Sequence, residues 1–202
     1  MISAWFIVFA LCLSPSGWSA DKGMILVLGD SLSAAYEMQL DESWPSLLQD
    51  RLAKDGYPYT VFNSSIVGDT TQGGLSRLPR LLADNDPQVV IIELGGNDGL
   101  RGLALEVTRS NLQSMTEMSL ESGARVVLAG IQLPPNYGRT YTEKFSAMYH
   151  ELASEHDVQF IPFLLQGVAL DPALMRDDGI HPNASAQATL LDTVWQALEP
   201  LL

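Results

Sequence analysis

Five short runs rich in β-branched and apolar residues recur along the chain, at 24–28, 60–63, 89–94, 125–129 and 159–161. Between them lie longer stretches whose apolar residues are spaced three and four apart, at 44–54, 75–84, 105–122 and 141–156, with a last one at 184–198. Strand and helix in regular alternation is the pattern of βα units, whose strands lie parallel in one sheet. The third and fourth runs are apolar enough to be buried on both faces, as central strands of such a sheet are. The expected fold is therefore α/β: a three-layer α/β/α sandwich on a flavodoxin-like five-stranded parallel sheet of order 2-1-3-4-5. In that order the ligand crevice lies at the carboxyl ends of strands 1 and 3, which predicts where chemistry should sit. At 202 residues, with no internal repeat and no linker rich in Gly, Ser or Pro, one domain is expected.

Residues 4–13, Ala-Trp-Phe-Ile-Val-Phe-Ala-Leu-Cys-Leu, are apolar but too few to cross a bilayer as a helix, and Ser14-Pro15-Ser16-Gly17 breaks the run. This reads as a signal peptide over 1–19, with small residues in Gly17-Trp18-Ser19 placing the cut before Ala20, or before Asp21 as the neighbouring option. No Lys or Arg precedes the run, so the positive end rests on the α-amino group or on a start codon upstream. The expectation is a mature domain over 20–202, periplasmic or secreted, with no stable membrane anchor. Cys12 is the only cysteine and lies inside the leader. The mature protein would then hold no disulfide, thiol nucleophile or thiolate metal site. Leu11 is bulky where lipoprotein signals carry a small residue, which argues against lipid attachment at Cys12.

A formal charge of -13 and the lack of any basic run argue against nucleic acid or an anionic membrane as partner, since both need clustered Lys and Arg. The sequence does not set the oligomeric state; a monomer is the working expectation.

Strand 1 runs into Gly29-Asp30-Ser31-Leu32-Ser33, which puts a hydroxyl at the carboxyl end of a central strand, at or near the start of the next helix. Helix capping explains such a pentapeptide equally well. A hydroxyl nucleophile needs a base. His150 and His156 stand in a helical stretch among acidic and basic residues, where a solvated face is the ordinary explanation. His181 follows Asp177-Asp178-Gly179-Ile180 and precedes Pro182, in a turn before the last helix. Asp178, three residues before it, can reach Nδ1–H and leave Nε2 free as a base; Asp177 competes for that role. Acyl transfer also needs donors for an oxyanion. Strand 3 ends in Gly95-Gly96-Asn97-Asp98-Gly99, with the amide of Asn97, and strand 2 leads to Gly68, where a bare backbone N–H can approach a ligand. Each glycine stretch alone reads as a turn. Together they make a nucleophile, donors and a base pair on one edge of one sheet.

These blocks, taken in order, resemble the SGNH (GDSL) hydrolase family, and the likeness extends through Gly68-Asp69-Thr70-Thr71, Leu94 to Gly102 and Leu133-Pro134-Pro135-Asn136-Tyr137-Gly138. The longer stretches are similar to its subgroup of periplasmic acyl-CoA thioesterases, lysophospholipases and bacterial arylesterases. The resemblance implies Ser31 as nucleophile, His181 as base and Asp178 as its orienter. It implies an oxyanion hole from the N–H groups of Ser31 and Gly68 and the side chain of Asn97. It further implies that the loop at 99–104 moves on substrate binding, that Gly99, Leu100, Arg101, Gly102 and Leu103 contact substrate, and that Leu133 lies near the acyl chain. The substrate would be a small-molecule acyl ester or thioester, with no cofactor and no metal. Leu100, Leu103, Ile131, Leu133, Leu164, Leu165 and Val168 are candidates for an acyl groove, though core packing explains such residues as readily.

Two rival readings remain. A carbohydrate or peptidoglycan deacetylase on the same fold would prefer acetyl groups, and a non-catalytic periplasmic binding protein would use the blocks only as turns. A G-x-S-x-G elbow fails because Ser33 stands where its last glycine is needed, and no P-loop or H-E-x-x-H occurs.

Overall fold

Strands β1 (Gly23–Gly29), β2 (Tyr59–Asn63), β3 (Val89–Glu93), β4 (Arg125–Ala129) and β5 (Gln159–Ile161) pair in parallel as one sheet of order β2-β1-β3-β4-β5. The computed structural model describes residues 22–202, so the proposed leader, its cleavage site and Cys12 lie outside the described residues.

Successive side chains of a strand point to opposite faces, and both faces here are covered. Ile25, Val27 and Ile91 pack under α1 (Trp44–Asp55) and α6 (Gln187–Leu198), against Trp44, Leu48 and Val194. Leu26, Leu28, Val90 and Ile92 pack under α2 (Thr71–Asn85), α4 (Leu105–Glu121) and α5 (Arg139–Glu155), against Leu78, Leu112 and Phe145. Each such side chain contributes about 1.5–3 kcal/mol of burial free energy, so the sheet is a rigid platform for what stands at its edge. Among the described residues no helix is long and apolar enough to cross a membrane.

Three local features differ from the sequence expectation. Helix α2 starts at Thr71, four residues before the periodic pattern, because Thr70 Oγ1 accepts from Gly73 N–H (3.3 Å) and Asp98 Oδ2 accepts from Thr71 N–H (2.9 Å). Gly73 and Gly74 disguise this start, yet a Cβ on Gly74 would stand 2.2 Å from the end of the Leu94 side chain, so a larger residue there would crowd α2 against the residue that follows β3. A five-residue helix, α3 (Gly96–Leu100), forms where the sequence suggests only a turn. Ser31 does not open a helix: a run of turns follows it, and a 3-10 turn, Leu40–Glu42, precedes α1.

Candidate active site

The site grows from the carboxyl end of β1, where the chain leaves the sheet. Asp30 holds this turn: its carbonyl accepts from Ala34 N–H (3.0 Å) and its Oδ1 from Leu32 N–H (3.1 Å). Ser31, between them, faces a cleft, and among the described residues its N–H has no hydrogen-bond partner.

The second component is the turn before α6. An antiparallel bridge joins Met175 to Pro182, Arg176 N–H donates to His181 O (2.8 Å), and Gly179 N–H donates to Arg176 O (3.0 Å). Asp178 Oδ1 accepts from the N–H groups of Ile180 and His181, each at 2.9 Å, and its Oδ2 faces His181 Nδ1 at 2.7 Å. Partial burial pushes this carboxyl up, but the bonds from the His181 backbone and ring and from Ile180 N–H outweigh it and hold its pKa down at about 2. An ionised carboxylate only accepts, so Nδ1 carries the proton and the Nε2 lone pair is free. Ser31 Oγ lies 2.9 Å from that Nε2 and can donate to it. Asp178 rather than Asp177 therefore meets the imidazole, and Ser31, His181 and Asp178 form one hydrogen-bonded chain.

Of the two further donors expected from the sequence, Asn97 lines the cleft with Ser31 and Gly68 does not. Asn97, in the first turn of α3, gives one Nδ2 hydrogen to Asp30 Oδ2 (3.0 Å), which leaves its second hydrogen unengaged. Gly68 has φ +76°, a left-handed conformation that favours glycine, and its N–H also lacks a partner among the described residues. Its carbonyl accepts from Arg101 Nη2 (2.9 Å). The loop carrying Gly68 is tied down by Arg77 of α2, whose Nε and Nη2 donate to Asp69 Oδ2 (3.0 and 2.9 Å) and whose Nη1 donates to Ser64 Oγ (2.9 Å).

Behind the turn are two more carboxyls. The register pairs Gly29 with Glu93, so the fully buried Glu93 carboxyl accepts from Ser33 Oγ (2.7 Å) and Asp30 N–H (3.2 Å) through Oε2. Burial first, then the neighbouring Asp30 charge, pushes Glu93 well above the usual range. Asp30, 2% exposed, is raised by burial to about 6, although Leu32 N–H and Asn97 act against the rise.

The cleft has a volume of about 710 Å³ and runs from Ser31, Asn97 and His181 along an apolar wall. Leu100, Ile131, Leu133 and Leu165 line it, as do Phe163, Leu170, Met175 and Ile180, which the sequence did not single out. Leu164 and Val168 are buried in the core instead. Of the segment expected to contact substrate, Leu100 is on the wall. Gly99 is buried, where an added Cβ would meet Leu133, and Arg101 reaches Gly68. Gly102 and Leu103 stand off the wall, and Tyr141 Oη donates to Leu103 O (3.1 Å). His150 sets its ring edge-on to Phe160, while His156 is largely buried with Nε2 lacking a hydrogen bond, so its face is less solvated than its helical setting suggested. Among the described residues no group of three or more His, Cys, Asp or Glu is arranged to hold a metal ion.

A model of the GDSL-like Lipase/Acylhydrolase family matches residues 27–189. A protein of Pseudomonas aeruginosa named esterase TesA is 52% identical over 178 residues, 88% of this chain and 89% of that one. The thioesterase 1/protease 1/lysophospholipase L1 of Escherichia coli K12 is 43% identical over 198 residues, 98% of this chain and 94% of that one. The crystal structure of TesA superposes with a TM-score of 0.87 at 51% identity, covering 89% of this chain and 99% of the other.

Proposed function

The chain belongs to the GDSL-like lipase/acylhydrolase family, and from that premise we propose an ester and thioester hydrolase in which Ser31 is the nucleophile, His181 the general base and Asp178 its orienter. The observation that carries the assignment is the hydrogen-bonded chain from Ser31 Oγ through His181 to Asp178, at 2.9 and 2.7 Å.

His181 Nε2 takes the Ser31 proton as Oγ attacks the acyl carbonyl carbon, and Asp178 stabilises the imidazolium that forms. The N–H groups of Ser31 and Gly68 and the second hydrogen of Asn97 Nδ2 receive the oxyanion. Collapse of the tetrahedral intermediate expels the alcohol or thiol, which takes the proton from His181, and leaves the acyl group on Ser31. Water, deprotonated by His181, then attacks the acyl carbon, and the second tetrahedral intermediate expels Ser31 Oγ, which takes the proton back from His181 as the carboxylic acid leaves. The apolar wall of the cleft supports fatty acyl esters, acyl thioesters, aryl esters and lysophospholipids as substrates over short acetyl groups. The run at 4–13 supports export, with residues 1–19 removed and the domain working in the periplasm or outside the cell.

The test is a comparison of the parent with Ser31→Ala on p-nitrophenyl esters from acetyl to palmitoyl. Hydrolysis by the parent alone, strongest on medium or long chains, is the expected result. Equal turnover by both proteins would remove Ser31 as nucleophile, and a sharp preference for acetyl would favour a deacetylase.

A further inference from the structure

Tyr36 lies five residues beyond Ser31, and its ring rests on the imidazole of His181, with centroids 4.4 Å apart and planes tilted by 37°. It is not among the residues that line the cleft, and the imidazole is its ring contact. The backbone is left-handed on both sides of it, at Ala35 (φ 57°) and Glu37 (φ 50°), and neither residue is glycine. Residues with a Cβ occupy that region only at a cost, so something else must hold them there. The holding contact is Arg176, which forms an ion pair with the Glu37 carboxylate and donates from Nη1 to Glu37 O (3.3 Å). Arg176 also closes the turn that carries Asp178 and His181, through its N–H to His181 O (2.8 Å). One residue thus fastens the Tyr36 loop to the turn of the base.

We propose that Tyr36 is a positioning residue for His181: its ring, held by the strained loop and the Arg176–Glu37 pair, fixes the imidazole plane that serves Ser31. The inference rests on the triad reading above. Asp178 and Ser31 meet the imidazole at Nδ1 and Nε2, both within the ring plane, so neither resists tilting of the ring about the line between them, and a flat surface against the ring face does. The ring face also attracts the imidazolium as it forms. The phenol stays neutral, because the Glu37 carboxylate beside it holds it above its ordinary range.

Tyr36→Ala, Tyr36→Phe and Glu37→Gln test the proposal against the parent, with Ser31→Ala as control. Tyr36→Ala is expected to lose about 10–10²-fold in kcat, the scale on which small misplacements of reacting groups act, with KM within about twofold. Tyr36→Phe, which keeps the ring, should stay within about twofold of the parent. Glu37→Gln, which leaves the ring but loosens its loop, should fall between them. The low-field Nδ1 proton of His181, read by NMR, should be sharp in the parent and Tyr36→Phe and broadened or lost in Tyr36→Ala. Unchanged kcat and an unchanged proton signal in Tyr36→Ala would overturn the proposal, as would a loss in Tyr36→Phe as large as in Tyr36→Ala. If Ser31→Ala turns over normally, the nucleophile assignment falls, and the NMR signal still decides whether Tyr36 fixes the ring.

Discussion

Asp178, at the rim of the cleft, and Glu93, behind the nucleophile turn, bring the same functional group into opposite surroundings. Asp178 accepts three hydrogen bonds within its own turn and is held ionised, with a pKa of about 2. Glu93 is fully buried, accepts at one oxygen only, leaves Oε1 unpartnered and is pushed up. Burial alone therefore does not set the state of a carboxyl near this site. The balance between lost water and gained donors does, and it tips one way at the rim and the other way behind the sheet edge. In the proposed mechanism the ionised rim carboxylate fixes the tautomer of the base, while the buried carboxyl, whose charged form burial disfavours, acts only as a strut under Asp30 and Ser33.

The same substitution, carboxyl to carboxamide, can break that contrast at either end. Asp178→Asn keeps the shape but offers a hydrogen where Nδ1–H needs an acceptor, which favours the wrong imidazole tautomer. Turnover should fall by about 10⁴-fold, with KM little changed, measured on a p-nitrophenyl ester under saturating conditions. A loss below tenfold would mean that Asp178 is not the orienter.

Glu93→Gln should act mainly on stability. Burial and the Asp30 charge raise Glu93 on folding, so its ionised form costs stability as pH rises, and Gln removes that cost. The variant should melt several degrees higher than the parent at pH 8, lose that advantage towards pH 4, and keep activity within about tenfold. A Glu93→Gln protein no more stable than the parent at pH 8 would show that folding does not raise the Glu93 pKa, and the contrast with Asp178 would disappear.

The two carboxyls differ as much in how far the sequence exposes them. Asp178 is three residues from His181, so one tight turn suffices to pair them, and the blocks around Ser31, Gly68 and Asn97 are each local. The sheet was equally open to reading, because buried parallel strands and covering helices write their periods directly into the chain. Glu93 stands in a run read as a buried strand, and its role depends on the pairing of Gly29 with Glu93 across 64 residues. Tyr36 and Arg77 escaped as well. The partner of Tyr36, His181, becomes a neighbour only once the sheet order is fixed, whereas Arg77 meets Asp69 eight residues away and was hidden because the pattern starts α2 four residues late. The early start of α2 was hidden by Gly73 and Gly74, whose poor helix propensity is overridden by a close approach to Leu94.

Asp30 sits between the two extremes, and its titration sharpens the comparison. It is buried like Glu93 yet accepts from Leu32 and Asn97, and its pKa settles at about 6, above the ordinary 3.8. A carboxyl raised on folding binds its proton more tightly in the native state, so its charged form costs stability as pH rises from about 4 to about 6, and the cost then levels off. A shift of that size corresponds to about 3 kcal/mol. Asp178 has the opposite sign: its contribution is present above about pH 4 and lost as pH falls towards 2. The stability difference between Asp30→Asn and the parent, measured by urea unfolding from pH 4 to pH 8, should shift in favour of the variant by about 3 kcal/mol up to pH 6 and then hold. A difference that does not change with pH would mean that the donors from Leu32 and Asn97 cancel the cost of burial, placing Asp30 with Asp178 instead of with Glu93.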